Sequence, residues 1–200
     1  MQIIDNINKT VKDDLQAGIH KGSKMSVAAA CFSIYAYQEL KKQLDSIDEL
    51  RFIFTSPTFV TEKASKAQLE FYIPRISREC SLYGTEFEVK LRNELTQKAE
   101  CADWIRRKVV FKSNVTQEQM MGFMTVDEST YMPINGFTTV DLGCERGNNA
   151  YYPVQKTESF ENANYFLRLF EQLWNDKKKL QEVTDVVIEN ISAAYRENAP

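Results

Sequence analysis

The chain has 200 residues, 43% hydrophobic and 26% charged, with a net charge of −3. That composition suits one globular domain with a sizeable core and excludes a global basic field for nucleic acid. The longest apolar run, around Val27 to Phe32, is far too short to span a membrane, and a single histidine, His20, excludes any two-histidine dyad or multi-histidine metal site within one copy.

In chain order, Ile7, Val11, Leu15 and Ile19 are spaced by four, which predicts a first helical stripe, with Gly18 and Gly22 around its end. "KMSVAAACFS" over 24–33 is nearly continuous and apolar, the pattern of a strand covered on both faces. "IYAYQELKKQLDSI" places Ile34, Tyr37, Leu40 (or Lys41) and Leu44 at helical spacing, and "ELRFIFTSP" predicts a second strand stopped by Pro57. Strands alternating with helices predict an α/β sheet. Residues 58–80 read as amphipathic with a break at Pro74, and "TEFEVKL" alternates like a short strand. A strong helix is predicted over 91–108, then a strand at "VVFKS".

"GFMTVDESTYMPINGFTTVDLG", Gly122 to Gly143, reads as a strand, a turn and a second strand. A turn-rich stretch follows, then a short strand near Tyr152 to Gln155. "SFENANYFLRLFEQLWND" predicts a helix with Ser159 as N-cap, and "LQEVTDVVIENISAAY" a terminal helix carrying Leu180, Val183, Val187, Ile191 and Tyr195. Cys31, Cys80, Cys101 and Cys144 form no C-x-x-C pair and have no histidine at ligand spacing, so free thiols and a cytoplasmic location are expected. No secretory leader is visible in "MQIIDNINKT".

Familiar chemistry is missing. There is no P-loop, no G-x-S-x-G elbow, no H-E-x-x-H and no EF-hand loop. "GCERGNN", Gly143 to Asn149, reads as a loop, and His20 as a cation near a helix C-terminus. No metal and no cofactor is expected in this chain.

Several stretches together nevertheless resemble the phospholipase D-like domain found at the N-terminus of bacterial Swi/Snf-type helicases. They are "SVAAACFSIYAYQEL", "FEVKLRNELTQKAE", "CADWIRRKV", "YMPINGFTTVDLGCERGNN" and "NYFLRLFEQLWND", and they cover most of the chain. The resemblance implies an α/β sandwich of the phospholipase D/nuclease type, with a mixed, largely parallel sheet and helices on both faces. It implies a domain over 1–177 and a helical extension over 178–200 leading toward a helicase motor in the same chain. The motor would bind ATP, but none of its nucleotide motifs is in these residues.

Active members carry H-x-K-x(4)-D-x(6)-G-S-x-N, in which the histidine attacks phosphorus and the lysine and asparagine stabilise charge. Two copies must meet, one histidine attacking and the other protonating the leaving group. Anchored on Asp127, the histidine position is Met120 and the lysine position Gly122. The G-S-x-N positions are Ile134 to Phe137, or Pro133 to Gly136, leaving Asn135 as a polar remnant. The hairpin thus keeps a scaffold without its nucleophile. Three readings stay open: side chains that only fill a core, a retained pocket for phosphate or a partner, and hidden catalysis.

"WIRRKVVFKS" gathers Trp104, Arg106, Arg107, Lys108 and Lys112, with Lys90 and Arg92 upstream. Basic side chains around an aromatic suit phosphate contacts plus base stacking, whereas a solvated helix end explains the same residues without a ligand. The expected function is a non-catalytic accessory module that contacts DNA, RNA or a protein. The alternatives are a phosphodiesterase acting as a homodimer and a self-association module. No membrane partner is expected.

Overall fold

A computed structural model describes residues 1–57, 91–158 and 160–197, the side chains of 91–95 and 192–197 excepted. The expectations for 58–90, including Pro74, Cys80, Lys90 and the strand at "TEFEVKL", lie outside the described residues, as do those for the cap Ser159 and the side chains of Arg92 and Tyr195.

A short strand, β1 (Gln2–Ile4), opens the fold. Asp5 Oδ1 then accepts the backbone N–H groups of Ile7 and Asn8, both at 2.9 Å, and of Lys9 at 3.2 Å. This tight turn consumes donors that a longer helix would need, so α1 (Val11–Gly18) starts at Thr10. Thr10 and Asp13 form a reciprocal capping box there. The stripe expected from Ile7 to Ile19 is therefore shorter than its spacing suggests, and Ile7 stands 75% exposed. Thr10→Ala is expected to cost about 1 kcal/mol, read as a shifted urea midpoint with an unchanged slope.

The chain continues through β2 (Lys24–Ala29), α2 (Ile34–Glu39), α3 (Lys41–Leu44) and β3 (Glu49–Phe54). The helix expected over 34–44 is two short ones, because Leu40 leaves the helical region at φ −119°, ψ 15°. Next come α4 (Leu91–Lys108), β4 (Val109–Asn114), the hairpin β5 (Phe123–Val126) and β6 (Ser129–Met132), then β7 (Val154–Thr157), α5 (Phe160–Trp174), β8 (Leu180–Glu182) and α6 (Thr184–Glu197).

The eight described strands form one sheet in the order β1-β7-β6-β5-β2-β3-β4-β8. Only β2 with β3 and β3 with β4 pair in parallel, and the other five pairings are antiparallel. The sheet is mixed, as expected, but the largely parallel pairing is corrected. The reason is that β5 turns back beside β2, and the hairpin and β7 then add strands by antiparallel steps.

Alternation along the strands divides two cores. Met25, Val27 and Ala29 of β2, with Phe52, Phe111 and Met124, face α1, α2, α4 and α6. Ala28, Ile53 and Phe123 face the opposite way, toward Phe166, Leu169, Phe170, Leu173 and Trp174 of α5. Helices thus lie on both faces of an α/β sheet. Phe32 anchors the larger core, with ring centroids 5.3 Å from Phe111, 5.8 Å from Phe137 and 5.9 Å from Phe52. On the other face, Arg51 lies over the rings of Phe170 and Trp174 at 5.1 and 5.6 Å, which places the end of α5 against β3.

The boundary expected at residue 177 does not separate two units among the described residues. Leu180 to Glu182 form an edge strand on β4, and Val183, Val187 and Ile191 are buried in the larger core. Cys31 is disulfide-bonded, which corrects the expectation of free thiols. Cys101 is buried and free, and Cys144 exposed and free. Part of the support for a cytoplasmic location falls away with that bond. No described helix is long and apolar enough to cross a membrane.

Candidate functional site

Strands β2, β3 and β4 run the same way, and β6, antiparallel to β5, shares their direction. Their carboxyl ends and the start of β5 therefore meet at one edge of the sheet, where open α/β sheets commonly place ligands. Three of the four hairpin positions singled out from the sequence, Met120, Gly122 and Asn135, lie at this edge. The segment after β6 runs along it, with Ala30 N–H donating to the Asn135 carbonyl at 2.8 Å, Phe137 N–H to the Cys31 carbonyl at 2.9 Å and Ser33 N–H to the Phe137 carbonyl at 2.9 Å. It forms one parallel bridge, Phe32 with Phe137.

The chemistry at these positions is apolar or backbone. Met120 packs against the α5 core. Gly122 lies so close to the segment after β6 that an added Cβ would sit 1.6 Å from the Ile134 carbonyl oxygen. Ile134 N–H donates to the Gly122 carbonyl at 3.0 Å, which fixes that approach. No lysine side chain fits there. Asn135 is exposed, and its N–H donates to the Tyr152 hydroxyl at 3.0 Å.

Asp127 lies across the sheet, past about 13 Å of strand β5. It occupies the hairpin turn at φ 50°, a left-handed conformation that aspartate tolerates better than most residues. Its carboxylate accepts from Ser23 Oγ at 2.8 Å and from Lys24 N–H at 3.0 Å, tying the turn to the start of β2. The chain's one imidazole belongs to this amino edge, with His20 Nε2 lying 3.5 Å from Asp127 Oδ2. Both side chains are solvent-accessible, at 72% and 36%. The fold brings His20 to Asp127 and keeps both away from Met120, Gly122 and Asn135.

The basic stretch is dispersed as well. Trp104 is fully buried and donates its indole N–H to the Leu44 carbonyl at 2.9 Å, so the expected stacking surface is corrected to a core residue. Cys101, Trp104 and Ile105 stand at i, i+3 and i+4, the signal that places the indole inward. Arg106 is exposed, and Arg107 pairs with Asp103 at 3.0 Å on the same helix. Lys108 is spent on the Ile47 carbonyl at 2.8 Å. Lys112 belongs to the opposite face, bonded to the Trp174 carbonyl at 2.8 Å and 4.4 Å above its ring.

Two features were not found by reading motifs. The first is a buried carboxylate, Asp141, which accepts from Thr138 Oγ1 and from the Tyr152 hydroxyl, both at 2.6 Å. Burial pushes its carboxyl above the usual aspartate range, against the lowering effect of those two hydroxyls. The pair ties Tyr152 to the segment after β6. The second is a cleft of about 450 Å³ between the turn after β1 and the loop 140–152. Gly143 and Gly147 shape that loop with φ of 80° and 60°. Its only advance sign is the cluster of turn residues in "GCERGNN". Among the described residues no group of His, Cys, Asp and Glu is placed to hold a metal ion.

No protein-family model matches the chain. No curated protein is significantly similar to it.

Proposed function

We propose that this chain is a non-catalytic accessory module with a phospholipase D-like sandwich fold, carried by a Swi/Snf-type helicase and acting through contact with a partner. One observation carries the reading. The edge that would hold the family's nucleophile and lysine has Met120 and a Gly122 with no space for a side chain, while the only imidazole sits at the opposite edge. Methionine does not attack phosphorus, and glycine offers no cation.

Protein is favoured over DNA or RNA as the partner, because Trp104 gives no stacking face and Arg107, Lys108 and Lys112 are engaged within the chain. A homodimeric phosphodiesterase would need two exposed His20 side chains to meet at the amino edge. Incubation of the purified chain with plasmid DNA and with a generic phosphodiester is expected to give no product above a blank, for the wild type and for His20→Ala alike. Hydrolysis that disappears in His20→Ala would overturn the proposal.

A further inference from the structure

The cleft beside β1 has walls of unusual character for a small-molecule pocket. Ile7 and Tyr151 both line it and yet stand 75% and 79% exposed. A pocket for a compact ligand tends to enclose its apolar lining. Two large apolar side chains left standing at a rim suit an extended segment that lies across the opening and covers them.

Charge selects what that segment carries. The lining residues include Asp5, Glu145 and Arg146. Hydrogen bonds from the backbone of Ile7, then from the side chain of Asn8, hold the Asp5 carboxyl down at about 2, so it is charged at neutral pH. Glu145 is exposed and accepts from Thr139 through Oε1. Arg146 is turned into its own loop, donating from Nε to the Asn149 carbonyl at 2.7 Å and from Nη2 to the Ala150 carbonyl at 3.2 Å. Around Cys144, which also lines the cleft, Glu39, Glu145 and Asp13 act against the single cation Lys12, itself paired with Glu39 at 2.6 Å. The balance at the opening is negative, and tyrosine rings add affinity for a cation.

We propose that this cleft docks a basic segment of a partner protein, its lysine or arginine side chain entering beside Glu145 and Asp5 and its apolar neighbours resting on Ile7 and Tyr151. The inference rests on the reading of the chain as a contact module and names the chemistry of the partner.

The test uses the 200-residue chain and a fluorescein-labelled peptide of alternating lysine and leucine, read by fluorescence anisotropy. A peptide of alternating glutamate and leucine is the control. The basic peptide is expected to bind and the acidic one not to bind. Tyr151→Ala and Glu145→Lys are each expected to weaken binding about tenfold. Glu128→Lys makes the same charge change at the exposed hairpin turn and is expected to leave affinity unchanged. Thermal melts confirm that each variant is folded.

No binding of the basic peptide, equal binding of the acidic one, or equal losses in Glu128→Lys and Glu145→Lys would overturn the inference. Any of these without phosphodiester hydrolysis leaves the non-catalytic reading intact. Hydrolysis that depends on His20 would overturn that reading whatever the peptides do.

Discussion

Gly122→Ala is expected to lower stability by at least ~3 kcal/mol, enough to unfold a marginal domain. The reason is geometric. An added Cβ would stand 1.6 Å from the Ile134 carbonyl oxygen, 2.8 Å from the Ile134 carbonyl carbon and 3.3 Å from the Ala28 carbonyl oxygen. All three are backbone atoms, so no side-chain rotation relieves the clash. Moving the chain apart would break the 3.0 Å hydrogen bond from Ile134 N–H to Gly122 and disturb the segment that pairs with Ala30 and Cys31. Urea denaturation followed by circular dichroism reads the effect. An alanine variant as stable as the wild type would show that the two backbones do not meet as described. It would also weaken the case against a lysine at this position, since both conclusions need the same crowding.

Asp14→Asn is expected to cost about 3 kcal/mol at neutral pH, in the range for breaking a buried ion pair. Asp14 is buried on α1, 2.9 Å from Lys156 of β7 and 2.8 Å from Lys9, and it accepts the Tyr131 hydroxyl of β6. The cluster clamps α1 to the hairpin side of the sheet. Asparagine keeps the shape and an acceptor for Tyr131 but leaves the Lys156 ammonium, 11% exposed, with the exposed Glu158 as its remaining ion-pair partner among the described residues and the Tyr131 ring 5.6 Å away. Burial works to raise the Asp14 carboxyl, but Lys9, Tyr131 and Lys156 together hold it below its usual value.

The pH dependence follows from that direction. The unfolded chain binds the proton more readily than the folded one. The Asp14 contribution is therefore complete above the unfolded value of 3.8 and disappears as pH falls through the lower folded value. Urea midpoints from neutral to acid are expected to fall more steeply for the wild type than for Asp14→Asn. Parallel profiles would show that Asp14 is not ionised in a clamp of this kind.

Much of the local structure was legible. The helix over 91–108, the strand Glu49–Phe54 and the alternation of helices with strands all follow from periodicity, which depends on neighbours a few residues apart. The shortage of imidazole follows from a count. Trp104 had a legible signal too, since its spacing to Cys101 and Ile105 points inward. The arginines and lysines beside it have the composition of a surface patch. Their separation became visible only when α4 and β4 were placed, with Lys112 on the face opposite Trp104.

The α/β class, the helix over 91–108 and the absence of a histidine after residue 20 can be read from the residues alone. Tertiary structure alone decided the rest: β1 pairing with β7 from the far end of the chain, β8 closing the other edge, the crowding at Gly122, and the distance between His20 and the opposite edge. The difference is physical. Helix and strand patterns are imposed by bonds between near neighbours, whereas strand order, strand direction and close backbone approach depend on hydrogen bonds and packing between segments as much as 154 residues apart, of which no local pattern carries a trace.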